Sequence, residues 1–185
     1  LTETDLPGGF TLESIEGAEG TIVGAEQKQA DVHNSYSAVG SLNLVATKVM
    51  TPAEFLTLDE GRFTFEVKDD RGSVIRSAVN TADGQVVFDP INYTLEDVGT
   101  TFLYTVTEAG TDNLVEPGQE SPFATDITSY TVQVTLQDKG DGTLEVTPRI
   151  IVGEEETGTV LFSNTEKTRV NVTKTWEGDE EHPEI

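Results

Sequence analysis

Cysteine is absent, which removes disulfides, thiolate metal sites and cysteine nucleophiles from the available chemistry. Histidine occurs only at His33 and His182, far apart and near the two ends, so no histidine triad or histidine metal cluster can assemble in the middle of the chain. Basic residues are scarce: 11 Lys and Arg stand against 34 Asp and Glu, a net charge of −23. Binding nucleic acid or anionic lipid requires Lys and Arg to displace counterions, so those partners are excluded; the charge suits solubility and mutual repulsion among crowded surface proteins. No apolar run approaches the ~18 residues of a membrane span, so no membrane insertion is expected. Leu1 to Phe10 is acidic and contains Gly and Pro, unlike a signal peptide. Nucleophile elbow, phosphate loop, dinucleotide fingerprint and His-metal motif are all missing. A conventional enzyme is therefore not expected, and no cofactor or metal is implied.

What is present is alternation. Apolar and polar residues alternate in short runs separated by Gly, Asp, Asn and Pro, the period-2 signal of half-buried strands. Strands are predicted over Ser41–Met50, Arg62–Lys68, Ser73–Val79, Gln85–Phe88, Thr101–Glu108, Ser129–Gln137, Thr143–Val152 and Thr159–Asn164. The turns Asp69-Asp70-Arg71-Gly72, Ala82-Asp83-Gly84 and Lys139-Gly140-Asp141-Gly142 suit hairpins. Thr51-Pro52-Ala53-Glu54 has the pattern of one capped helical turn, with Thr51 as N-cap and Pro52 at the first helical position. No long amphipathic helix is predicted. Many short strands at this spacing mean an all-β sandwich or barrel, and a hydrophobic content of 35% is enough for a thin sandwich core.

The ends read as different units. Residues 1–38 hold one or two strands and finish in Val32-His33-Asn34-Ser35-Tyr36. Residues 168–185 open a new strand, Val170-Asn171-Val172-Thr173-Lys174-Thr175-Trp176, followed by acidic residues. One central domain, residues 39–167, is expected between parts of neighbouring modules in a tandem array.

Strand phase isolates three polar residues. Residues i, i+2 and i+4 of a strand share a face. Leu42, Leu44 and Ala46 are followed in that series by Lys48; Phe102, Tyr104 and Val106 by Glu108; Val160 and Phe162 by Asn164. A lysine, a glutamate and an asparagine thus continue apolar faces, where an unpaired charge is costly. Two readings follow. Each side chain could escape to water at its strand end. Alternatively, the three meet in the core. Desolvation there would favour neutral Lys48, a nucleophile, and protonated Glu108, able to polarise the Asn164 carboxamide and shuttle protons. Attack on the Asn164 side-chain carbonyl would expel ammonia and leave an amide, with folding supplying the proximity.

Ala46-Thr47-Lys48 with Gly61-Arg62-Phe63-Thr64-Phe65-Glu66-Val67 resembles the opening of the streptococcal pilin isopeptide-linkage domain family. Asn80-Thr81-Ala82-Asp83-Gly84-Gln85-Val86-Val87-Phe88 with Ile91-Asn92-Tyr93 resembles its middle. Tyr104-Thr105-Val106-Thr107-Glu108 resembles its Tyr-x-x-x-Glu strand, and Tyr130-Thr131-Val132-Gln133-Val134 with Phe162-Ser163-Asn164-Thr165 its last portion. The likeness covers roughly residues 40–167, by motifs in order. It implies an Ig-like, Cna-B-like β-sandwich from an extracellular, cell-wall-anchored Gram-positive pilin or adhesin. It also implies a Lys48–Asn164 isopeptide bond assisted by Glu108, and adjacent repeats of the same chain as partners, with host surface ligands met through other domains. Two departures stand out: Asn164 is followed by Thr165-Glu166 rather than Thr-Tyr, and the loop Ala109–Thr128 is long. The segment Val170–Trp176 resembles the start of a collagen-adhesin B-type repeat with Lys174 as its bond-forming lysine, and Asn34 resembles the terminal asparagine of a preceding repeat.

Two other functions fit parts of the sequence. Loop 109–128 could bind a ligand or carbohydrate, since loops on rigid scaffolds often carry function. Asp138, Asp141 and the run Glu154-Glu155-Glu156 could ligate calcium, although Asp-Lys-Gly-Asp-Gly lacks the alternating oxygens of an EF-hand loop and reads better as a hairpin turn.

Overall fold

The computed structural model describes residues 3–17, 19–21, 23–24, 27–53 and 56–168. Among these residues there are fourteen strands: β1 (Phe10–Glu16), β2 (Asp31–Tyr36), β3 (Val39–Leu42), β4 (Val45–Thr51), β5 (Phe63–Lys68), β6 (Val74–Val79), β7 (Gln85–Val87), β8 (Ile91–Thr94), β9 (Phe102–Asp112), β10 (Phe123–Ala124), β11 (Ser129–Asp138), β12 (Leu144–Val152), β13 (Glu155–Thr157) and β14 (Val160–Glu166). The six-stranded sheet β13-β12-β11-β9-β5-β6 faces the four-stranded sheet β10-β14-β4-β7, with β3-β8 as a separate pair and β1-β2 as a hairpin sheet. This is an all-β sandwich, as expected.

Alternation places the core. Phe63, Phe65 and Val67 of β5, Tyr104 and Val106 of β9, and Tyr130, Val132, Val134 and Leu136 of β11 are buried from one sheet; Ala46 and Met50 of β4, Val86 of β7, and Val160 and Phe162 of β14 are buried from the other. Aromatic rings bind the layers: Phe162 lies 5.2 Å from Phe65 and meets Tyr130 edge-on at 5.3 Å, and such pairs add to the area they bury. The first and last strands of the sandwich, β4 and β14, lie side by side in parallel, with Lys48 opposite Phe162 and Met50 opposite Asn164.

Four expectations need correction. The single strand Ser41–Met50 is two strands in different sheets, because the chain leaves β3, which pairs with β8, at Asn43 before joining β14 and β7. The phase survives the break: Leu42, Leu44, Ala46 and Lys48 are all buried. The helical turn at Thr51–Glu54 is not formed over its described part. Thr51 stays in β4, paired with Thr165, and its hydroxyl shares a hydrogen bond with that of Ser163 (2.7 Å); Glu54 lies outside the described residues. Among the described residues, a single 3₁₀ turn occurs instead at Leu95–Asp97, where an Asp97 carboxylate oxygen accepts the Thr94 N–H at 2.8 Å. The loop 109–128 is shorter than predicted, because β9 continues to Asp112 and Phe123–Ala124 pairs with β14. Strands β8 and β13 go beyond the predicted set; at four and three residues they are too short to show a period.

The hairpin β1-β2 meets the sandwich at the turn between β11 and β12. The Tyr36 hydroxyl donates to Asp138 Oδ1 at 2.6 Å, and the Ser37 N–H to the Gly9 carbonyl at 2.9 Å. Gly142, at φ 87°, lies so close to Gly9 that a Cβ would sit 2.6 Å from the Gly9 nitrogen; glycine is required there both for its backbone angle and for the approach. Two of the carboxylates weighed for calcium, Asp138 and Asp141, serve this turn. Asp138 Oδ1 also accepts the Gly140 N–H (2.9 Å), and Asp141 Oδ1 accepts the N–H and hydroxyl of Thr143 (3.0 and 2.5 Å).

Candidate functional site

The three residues chosen by strand phase meet between the sheets. Lys48 and Asn164 are 1% exposed, and the Glu108 side chain is wholly enclosed. Adjacent parallel strands set the first two. Lys48 sits opposite Phe162, two residues before Asn164 on the same inward face, so Lys48 and Asn164 are diagonal neighbours, within reach of a long side chain. Glu108 comes from the opposite sheet, on β9, across from Phe65. Escape to solvent at the strand ends is therefore not what these side chains do.

One carboxylate joins the other two groups. Lys48 Nζ donates to Glu108 Oε2 at 2.6 Å, and Asn164 Nδ2 donates to Glu108 Oε1 at 2.6 Å. The walls are aromatic: Lys48 Nζ lies 4.8 Å from the Phe63 ring centre and 5.9 Å from that of Phe65. Desolvation pushes the Lys48 ammonium below the ordinary lysine range, against the opposing pull of Glu108. Taking two ions out of water costs several kcal/mol per ion, and a buried pair seldom repays it. An apolar pair would serve stability at least as well here, so the polar cluster points to chemistry more than to cohesion.

The backbone of Lys48 is fixed as well. Its N–H donates to the Gly84 carbonyl at 2.7 Å. Gly84, at φ 85°, approaches so closely that a Cβ there would collide with the Lys48 carbonyl oxygen. The Ala82-Asp83-Gly84 turn thus holds the β4 backbone at Lys48.

Sequence reasoning missed Asp126. Its N–H donates to Asn164 Oδ1 at 2.8 Å, and its carboxylate accepts the N–H groups of Ser163 (2.7 Å) and Thr128 (2.8 Å). Burial pushes the Asp126 carboxyl up, but those hydrogen bonds and the nearby Lys48 charge outweigh it and hold it below the usual carboxylate range. The local signal was an Asx turn, Asp126-Ile127-Thr128. Both ends of the long connection are also tied to the sandwich. Asp112 binds Arg62 through two hydrogen bonds (3.0 and 3.1 Å) and accepts the Ser121 hydroxyl (2.6 Å), while the Arg62 guanidinium lies 4.6 Å from the Phe123 ring centre.

Asn34 is not brought to this cluster. It lies exposed on β2, with Nδ2 donating to Glu3 Oε1 at 3.2 Å. Lys174 and the predicted strand around it lie outside the described residues. Among the described residues, no group of three or more His, Cys, Asp and Glu is arranged to hold a metal ion, and no helix is long and apolar enough to cross a membrane.

A family model described as FctA, Spy0128-like isopeptide containing domain, matches residues 44–167. Solved structures similar to the chain include the major pilin of Streptococcus pyogenes, at 16% identity and TM-score 0.39, covering 68% of this chain and 50% of the pilin. Two further major pilin proteins of that organism match at 17% and 18% identity, with TM-scores of 0.41 and 0.37, covering 71% of this chain and 54% and 55% of theirs. The chain spans about half the length of these solved pilins. A search of curated protein sequences finds no match.

Proposed function

The chain belongs to the Spy0128-like isopeptide containing domain family, and on that premise we propose that it is a stalk domain of a Gram-positive pilin or adhesin, locked by a self-formed Lys48–Asn164 isopeptide bond. The observation that carries this reading is the buried bridge in which both oxygens of Glu108 hold the Lys48 amine and the Asn164 amide nitrogen at 2.6 Å. Residues 39–167 would form the unit, with 1–38 ending a preceding repeat and 168–185 beginning a collagen-adhesin B-type one. Its partners would be the adjacent repeats of an extracellular, wall-anchored surface protein.

The chemistry balances without a cofactor. Lys48 passes a proton to Glu108 along their hydrogen bond, and the neutral amine attacks Cγ of Asn164. The tetrahedral carbon collapses, its bond to Nδ2 breaks, and Glu108 gives the proton to the departing nitrogen. The attacking nitrogen gives up its second proton through Glu108 to the departing group, so that ammonium leaves, a secondary amide remains, and Glu108 regains its starting state. Burial supports the first step by disfavouring the ammonium. The reaction runs once per molecule, so it is self-modification without turnover.

The bond would suit a stalk. Closing a loop on the order of 100 residues removes unfolded-state entropy equivalent to about 4–5 kcal/mol. Because β4 and β14 are parallel neighbours, a covalent link between them would pass tension from the first strand to the last and bypass the rest of the sandwich. An amide also resists reduction, which a disulfide does not. Tryptic digestion and tandem mass spectrometry test the assignment: a branched peptide joining the segments around Lys48 and Asn164 is expected, and recovery of only the two linear peptides would refute it.

A further inference from the structure

Lys48 and Glu108 account for the nucleophile and the nitrogen side of the Asn164 carboxamide; the oxygen side belongs to Asp126. The two ends of the carboxamide are distinguished by their partners. Oδ1 accepts the Asp126 N–H at 2.8 Å, and Nδ2 donates to Glu108 at 2.6 Å. Turning the amide over would set its NH₂ against a backbone N–H, two donors face to face, so the network fixes the orientation. Glu108 therefore faces the leaving nitrogen and not the carbonyl oxygen, which differs from the role first expected of it.

Asp126 is clamped in place from both sides. Strand β10 pairs only with Thr165 and Glu166 of β14. Further back along that edge, the Ser163 N–H is met by Asp126 Oδ2 at 2.7 Å, where a longer β10 would have supplied a carbonyl. The other carboxylate oxygen accepts the Thr128 N–H at 2.8 Å and closes the turn. One residue thus holds the backbone of Ser163 with its side chain and the side chain of the next residue, Asn164, with its backbone.

Resting on the Lys48–Asn164 reading, we infer that Asp126 is a further catalytic residue, its main-chain N–H being the oxyanion donor for bond formation and its carboxylate the clamp that positions that N–H. When the Lys48 nitrogen bonds to Cγ, the carbonyl electron pair moves onto Oδ1, the atom the N–H already faces. A donor fixed before reaction stabilises that charge without reorganisation. When the pair returns, the Cγ–Nδ2 bond breaks and Glu108 protonates the departing nitrogen. The Asp126 carboxylate holds no proton in this scheme and transfers none.

The test follows cross-linking in freshly synthesised full-length chain by the loss of one ammonia in intact mass over time, for wild type, Asp126→Ala and Asp126→Asn. Losing the clamp loosens the donor, so Asp126→Ala is expected to slow conversion by roughly 10- to 100-fold. Its pH profile should keep the wild-type shape, since no proton transfer is lost. Asp126→Asn, which keeps one acceptor oxygen, should fall between the two. Independently of whether Asp126→Ala folds, a through-hydrogen-bond coupling between the Asp126 amide nitrogen and Asn164 Cγ is expected in the unreactive Lys48→Met chain. Wild-type rates in Asp126→Ala, or no such coupling, would overturn the role of Asp126 while leaving the Lys48–Asn164 bond standing. A wild-type chain that never loses ammonia would overturn both.

Discussion

Two Asn–Glu hydrogen bonds in this molecule use the same functional groups in different surroundings. Asn164 donates to Glu108 at 2.6 Å inside the sandwich, and Asn34 donates to Glu3 at 3.2 Å on the exposed face of the β1-β2 hairpin. At the first, two aromatic rings flank Lys48 and water is excluded; at the second, both side chains are exposed. A carboxamide and a carboxylate are inert together in water. In the proposed cross-linking, reactivity at the sandwich site would come from enclosure, which suppresses the lysine charge, and from the three strands that place the groups: β4, β9 and β14.

The contrast is sharpest at Glu108. Glu108→Ala should stop bond formation and strand Lys48 in the core. Combining it with Lys48→Met also prevents the bond but puts an apolar chain in place of the stranded amine. In denaturant unfolding, Glu108→Ala is expected to be less stable than this double variant by about 3 kcal/mol, the cost of a buried charge without its partner. Equal stabilities would mean that Lys48 escapes its pocket.

Gly84→Ala addresses placement without touching a reacting group. The new Cβ would collide with the Lys48 carbonyl oxygen at a positive φ, so β4 must shift. A loss of about 1–3 kcal/mol and a reduced cross-linked fraction in intact mass are expected.

Enclosure also sets a pH dependence. The Lys48 ammonium is disfavoured in the folded chain by desolvation, so the unfolded state binds more protons, and the stability linked to this group rises with pH. The comparison is made between two unreactive chains, Asn164→Ala alone and Asn164→Ala combined with Lys48→Met. The stability gap between them is the penalty for keeping the lysine, and it should be widest at neutral pH. It should narrow as pH rises toward the ordinary lysine value of about 10.4. A gap that does not change with pH would place Lys48 in contact with water.

The hairpin supplies the smallest effects. Tyr36→Phe removes the hydroxyl bound to Asp138 and should cost about 1 kcal/mol, while Asn34→Ala should stay within about 0.5 kcal/mol. Neither should alter the cross-linked fraction. A change in the cross-linked fraction for Asn34→Ala would give the exposed pair a chemistry that the comparison denies it.

How far the sequence could be read follows from the same physics. Period-2 phase marked Lys48, Glu108 and Asn164 as core-facing, and it held even where Ser41–Met50 breaks into two strands, because Leu42, Leu44 and Ala46 remain inward across the break. The break itself was invisible for that reason. Strand β10 is two residues long and carries no periodicity. Asp126 acts through a backbone N–H that every residue but proline has, so side-chain chemistry could not single it out. The division of the Asn164 amide between Glu108 and Asp126 depends on a contact between a connection and a distant strand, which no local pattern encodes.

The central claim is most directly tested by the intact mass of the purified chain under denaturing conditions, beside Lys48→Met and Glu108→Ala. The account predicts a wild-type chain lighter than its sequence mass by one ammonia and both variants at full mass. A wild-type chain at full mass would contradict it, and the buried Lys48–Glu108–Asn164 cluster would then be a polar core network without covalent chemistry.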